Sequence, residues 1–167
     1  MTNAYRLFYA DSMRALGIDY GKRRIGLAVS DATGLLARPW KAIAHGGTLR
    51  QVVQSLQAEI SMLQHEDGGL GTIVLGLPRR LDGAPNALTE EVRKLHTILA
   101  NEVTIPVVLQ DERLSSYEAE SALAQRIRDW RKRKPLLDAA SAAVILQDYL
   151  DGLSRGISTH GPLEEDQ

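Results

Sequence analysis

The stretch Arg14-Ala-Leu-Gly-Ile-Asp-Tyr-Gly-Lys-Arg-Arg-Ile-Gly-Leu-Ala-Val-Ser30 decides how this chain folds. Arg14 to Ile18 reads as a short strand that ends at Asp19. Tyr20 to Arg23 makes a turn, in which Gly21 is free to take positive φ. Ile25 to Val29 reads as a second strand, antiparallel to the first. Side chains alternate across a strand, so Ala15 and Gly17 share a face with Asp19 and leave space around its carboxylate. Working outward, Asp31 to Gly34 reads as the next turn and Leu35 to Ile43 as a third strand. Pro39 weakens that strand, because proline cannot donate to a ladder.

Further on, the pattern alternates. Thr48 opens a helix, with Gln51 completing a capping box and Leu49, Val52, Val53, Leu56, Ile60 and Leu63 at helical spacing. Thr72 to Leu77 is a compact apolar run suited to a buried parallel strand. Leu88, Val92, Leu95 and Leu99 mark a second helix. Val107 to Leu109 reads as another buried strand, leading to Asp111 and Glu112. Ser115 and Glu118 form a second capping box, followed by an apolar face of Ala119, Ala122, Leu123, Ile127 and Trp130. Leu136 to Leu150 is a last, alanine-rich helix. A hairpin-rich start followed by βα units predicts an α/β fold: a mixed five-stranded sheet with helices on its faces. The expected domain covers residues 13–152, with 1–12 and 153–167 as peripheral tails. Met13, just before the first strand, is a candidate translation start.

Composition agrees with one globular domain. The chain has 167 residues, 44% apolar and 25% charged, enough to bury roughly two-thirds of its unfolded surface. It has no cysteine, which excludes disulfide-linked partners, thiolate metal sites and a cysteine nucleophile. No apolar run reaches the roughly 18 residues that span a bilayer, and the first residues lack a signal-peptide core. The expected setting is cytoplasmic, without a membrane partner. The net charge of −1 hides a basic stretch, Arg126 to Lys134, and an acidic end at Glu164, Glu165 and Asp166. The basic stretch reads as a loop.

Three carboxylates stand at ends of elements: Asp19 after the first strand, Glu112 after the last, and Asp138 near the start of the last helix. In a mixed sheet such ends come together, and clustered acids repel unless a cation sits between them. Mg²⁺ suits such a site, because it is held by a few carboxylates and completes its shell with water and phosphate. Two ions about 4 Å apart can activate a water and stabilise the leaving oxygen of a phosphodiester. Each acid also has a plainer reading. Asp19 suits a turn opener, Glu112 a solvated loop acid or a partner of Arg113, and Asp138 a helix cap. Asp138 also aligns with Ala142, Ile145 and Tyr149 at helical spacing, a stripe expected to face the sheet. His45, His65, His96 and His160 show no metal-ligand spacing.

Four stretches in order resemble YqgF-type proteins of the ribonuclease H-like superfamily. They are Gly17-Ile-Asp-Tyr-Gly21 with Ile25-Gly-Leu-Ala-Val-Ser30; Val74-Leu-Gly-Leu-Pro78 with Asp82-Gly83; Asp111-Glu-Arg-Leu-Ser-Ser116 with Ala119-Glu120; and Asp138-Ala-Ala-Ser-Ala-Ala143 with Ile145-Leu-Gln147 and Tyr149-Leu150. The resemblance runs from about residue 13 to 151. It implies a ribonuclease H-like sheet, antiparallel over its first three strands and parallel after them. It also implies a nuclease using Mg²⁺ or Mn²⁺, with a catalytic and metal-binding set of Asp19, Glu112 and Asp138. Members of that family are linked to 5′-end maturation of 16S ribosomal RNA and described as Holliday junction resolvases. One departure is local: Leu136-Leu137 precede Asp138 where the family is expected to carry a polar residue.

Basic residues suited to the substrate backbone are Lys22, Arg23, Arg24, Arg79, Arg80, Arg113, Arg131, Lys132, Arg133 and Lys134. The expected partner is nucleic acid, structured RNA before branched DNA, with pre-ribosomal particles as a further candidate. Two other classes stay open. One is an actin-like nucleotide-binding protein, although the chain is too short for its two halves. The other is a non-catalytic RNA-binding module.

Overall fold

The computed structural model describes residues 13–78, 82–112 and 130–159, with backbone alone at 130–133 and 156–159. Five strands form one sheet in the order β3-β2-β1-β4-β5: β1 (Arg14–Tyr20), β2 (Arg24–Ser30), β3 (Ala37–Ala44), β4 (Leu70–Leu77) and β5 (Val107–Asp111). The first three are antiparallel neighbours, and β4 and β5 run parallel to β1. Three helices are described: α1 (Leu49–His65), α2 (Ala87–Glu102) and α3 (Trp130–Thr159). The expected α/β architecture is the observed one.

Local chemistry sets the elements. Thr48 caps α1, and its hydroxyl accepts from the Gln51 amide while Gln51 reaches back to the Thr48 N–H. Asn86 caps α2 in the same reciprocal way with Thr89, a signal the sequence carries but which was not expected. Pro39 is accommodated because β3 is an edge strand, with the register shifting beside it between Leu27 and Ala28.

The two faces of the sheet differ in kind. Leu16, Ile18, Ile25, Leu27, Ile73 and Leu75 face α1 and α2 and are fully buried with Val52, Leu56, Val92, Leu95 and Leu99. Each such side chain contributes about 1.5–3 kcal/mol on burial. The other face carries Ala15, Gly17, Ala28, Val74 and Gly76 and packs against Ala142, Ile145, Leu146 and Leu150 of α3. Small residues there let the helix backbone come close. A Cβ on Gly17 would lie 2.9 Å from the Ala142 carbonyl oxygen, and one on Gly26 would run into the Asp138 carbonyl.

Three expectations change. β5 is half-buried, since it forms the sheet's other edge. The basic residues Arg131 to Lys134 belong to the first turns of α3 instead of a loop, and α3 continues to Thr159, past the expected helix end at Leu150. Arginine and lysine are good helix formers, so a basic run does not by itself break a helix. The helix expected from Ser115 and its face Ala119 to Ile127 lie outside the described residues.

Candidate active site

The site stands on the small-residue face, at the end of the sheet where the parallel strands β1, β4 and β5 finish. Asp19 is the next-to-last residue of β1 and pairs across the hairpin with Gly26. Glu112 directly follows β5, its N–H donating to the Leu77 carbonyl. Between β1 and β5 lies β4, so the two acids start two strand spacings apart, roughly 9.5 Å. They nevertheless share a side-chain hydrogen bond. Gly76 makes this possible. Ile18 pairs with Leu75, so the next step in register sets Asp19 beside Gly76. The Glu112 carboxylate lies over that glycine, and a Cβ there would come within 2.5 Å of its Oε2.

A hydrogen bond between two carboxyls requires a proton on one of them. Burial pushes the Glu112 carboxyl up to about 9, reinforced by the negative charge of Asp19 and by the bond it donates to Asp19. Burial also raises Asp19, to about 6; accepting from Glu112 lowers it and the charge of Asp138 raises it. Both carboxyls are therefore harder to ionise here than in water, chiefly because they are buried.

Asp138 sits more than two turns inside α3, which begins by Trp130, so it is not a helix cap. Ala142 and Ile145 are fully buried and Tyr149 packs beside them, so the expected stripe does face the sheet. Asp138 acts on Asp19 through charge, but its Oδ2 accepts from Arg24 Nε at 2.6 Å. Among the described residues no group of three or more His, Asp or Glu is arranged to hold a metal ion. The donor set nonetheless suits a hard divalent ion. It is built of carboxylate oxygens, two of the groups being buried so that a cation would favour their ionised form.

Of the expected basic residues, Lys22 and Arg23 are exposed in the β1–β2 turn, Arg24 is half-buried beside Asp138, and Lys134 is exposed near the start of α3. Arg79, Arg80 and Arg113 lie outside the described residues, as do the side chains of Arg131, Lys132 and Arg133. The histidines make structural contacts. His96 meets the Val107 carbonyl and His65 the Ser61 carbonyl; His160 lies outside the described residues. His45 belongs to a chain of polar contacts on the opposite face of β1. Its Nε2 is 2.7 Å from the Tyr20 hydroxyl, which donates to Glu91 at 3.1 Å. These three line a cavity of about 390 Å³ with Lys22 and Lys94.

Residues 13–152 match the family model described as "RuvX: Holliday junction resolvase". The chain belongs to the RuvX family. Two curated relatives are each named "Putative pre-16S rRNA nuclease". The one from Anaeromyxobacter sp. (strain Fw109-5) is 40% identical over 140 residues, 84% of this chain and 98% of the relative. The one from Maridesulfovibrio salexigens is 40% identical over 138 residues, 83% and 98% of the two chains. Among solved structures, "T. thermophilus RuvC in complex with Holliday junction substrate" superimposes with a TM-score of 0.51 at 18% identity, covering 90% of this chain and 99% of that one. At that identity the likeness concerns the fold. With the sheet order, it gives this RuvX member the ribonuclease H-like architecture expected from the four motifs.

The roles of Gly26 and Gly76 were missed by sequence reasoning, although both glycines stand inside the quoted motifs. The available signal was the glycines beside Asp19 within those motifs: Gly17 and Gly26 around it in the β1–β2 hairpin, and Gly76 at its register in β4.

Proposed function

We propose that this RuvX member is an endonuclease that hydrolyses phosphodiester bonds in structured RNA and trims the 5′ end of precursor 16S ribosomal RNA. Asp19, Glu112 and Asp138 are its catalytic carboxylates, holding Mg²⁺ or Mn²⁺, in a two-ion arrangement when loaded. The observation that carries this reading is the Asp19–Glu112 pair, two half-buried carboxyls brought together over Gly76 with a third acid in charge contact. Such a pair is costly to ionise without a cation. Bound there, a divalent ion would neutralise phosphate charge and lower the pKa of a water. The chain's own residues set the rest. Gly76 fixes the approach of the two carboxyls. Burial raises the Glu112 carboxyl, so that its ionisation would favour a bound cation. Lys22, Arg23 and Arg24 offer cations to the substrate backbone, joined by Arg79, Arg80, Arg113 and Arg131 to Lys134.

The name carried by the curated relatives favours RNA; pre-ribosomal particles as partners and a cytoplasmic setting belong to the same proposal. No described helix is long and apolar enough to cross a membrane. A second reading, cleavage of four-way DNA junctions, is favoured by the family description. Incubation with 5′-extended 16S RNA, unrelated structured RNA and a four-way DNA junction, each with Mg²⁺, Mn²⁺ or EDTA, tests both. Metal-dependent cleavage of the precursor before the junction is expected. Preference for the junction would move the assignment to DNA, and full activity in EDTA would refute the metal-dependent site.

A further inference from the structure

Arg24 and Asp138 come from elements 114 residues apart and meet at the site through one contact, Nε to Oδ2 at 2.6 Å. Arg24 lies on β2 on the same face as Gly26, under the turn of α3 that carries Asp138. The guanidinium uses only Nε in this pair, and its two Nη groups make no hydrogen bond to another described residue. The side chains keep 34% and 29% of their exposure, so water and ligands can reach the pair. The same carboxylate acts on Asp19 through charge, yet no three-acid set stands ready among the described residues. One carboxylate thus faces two competing claims, a guanidinium and the Asp19–Glu112 pair.

We propose that Arg24 is a positioning residue that latches Asp138 until nucleic acid arrives. A phosphate offers the guanidinium a better partner than one carboxylate oxygen does, because its oxygens match the planar fork bidentately. When Arg24 turns to a backbone phosphate, Asp138 is released toward Asp19 and Glu112, and the three acids together hold the ion. The ion then binds more tightly on a substrate-occupied protein, and by linkage the substrate binds more tightly in the presence of the ion. A half-exposed ion pair is weak enough to exchange, so its removal should change ion affinity by about tenfold. The inference rests on the carboxylate assignment above. It adds that the free enzyme disfavours the ion, which limits cleavage to molecules already engaged by Arg24.

The test is a calorimetric titration of Mn²⁺ into the full chain without nucleic acid. Arg24→Gln, which keeps a donor but loses the charge, should bind Mn²⁺ about tenfold more tightly than wild type. Arg24→Lys should fall between them and serves if Arg24→Gln fails to fold. Adding Asp138→Asn to Arg24→Gln should abolish the gain. In wild type, a structured RNA with a non-hydrolysable linkage should bind more tightly with Mn²⁺ than in EDTA, and Arg24→Gln should lose most of that difference. Equal or weaker Mn²⁺ binding by Arg24→Gln, while wild type binds Mn²⁺ and cleaves, would overturn the latch alone. Absence of Mn²⁺ binding in wild type and both variants would overturn the carboxylate site and the latch with it.

Discussion

The two faces of the sheet are packed to opposite rules. Toward α1 and α2, β1 presents Leu16, Ile18 and Tyr20; toward α3, it presents Ala15, Gly17 and Asp19. The first face buries large side chains and holds the fold together. The second gives up that bulk, and the space is taken by a close helix and by carboxylates. On this face the backbone of α3 lies against glycine in β1 and β2, and the Glu112 side chain lies across glycine in β4. The comparison teaches that a site can be built by removing side chains from a sheet as much as by placing charged ones on it.

The largest effects should come from reversing the packing rule on either face. Leu75→Ala deletes a fully buried side chain on the large-residue face and should cost about 2–5 kcal/mol in chemical denaturation. Gly26→Ala adds one methyl on the other face, where the Asp138 carbonyl already stands. It should cost about 1–3 kcal/mol and impair cleavage more than Leu75→Ala does at equal folded fraction. If Gly26→Ala were neutral in both, the close packing of α3 would not matter to the site.

A smaller effect separates the faces by pH. Asp19 and Glu112 are raised to about 6 and about 9 from ordinary values of 3.8 and 4.5. A raised carboxyl favours the folded state while protonated. Its contribution is complete below the unfolded pKa and is lost as pH climbs through the folded one. In EDTA, stability should therefore fall as pH rises between about pH 4 and pH 9. Glu112→Gln should flatten that fall, and Mg²⁺ should oppose it. A wild-type profile flat over this range would mean that the pair is not the strained element described.

The sequence disclosed what local pattern encodes. The Thr48–Gln51 capping box, the β1–β2 hairpin and the Asp138, Ala142, Ile145, Tyr149 stripe are short-range signals, and all are observed. Asp19 and Glu112 were legible as neighbours because strand ends meet in a mixed sheet. The reason they touch was not. That depends on β4 lying between β1 and β5 and on Gly76 reaching the register of Asp19, facts of topology that no window of sequence contains. The Arg24–Asp138 pair was hidden for the same reason. The start of α3 was not legible because a run of charge suggests a solvated loop, while the intrinsic preference of arginine and lysine is helical.

The central claim is that Asp138 serves the site and not the helix. Cleavage of 5′-extended 16S RNA in Mg²⁺ by wild type and by Asp138→Asn, at matched folded fraction, tests it most directly. Asparagine keeps the shape of the side chain but removes the anionic oxygen. The account predicts nearly unchanged thermal unfolding and a loss of cleavage of about two orders of magnitude or more, the scale seen when a catalytic group is removed. An Asp138→Asn protein that cuts at the wild-type rate would contradict it.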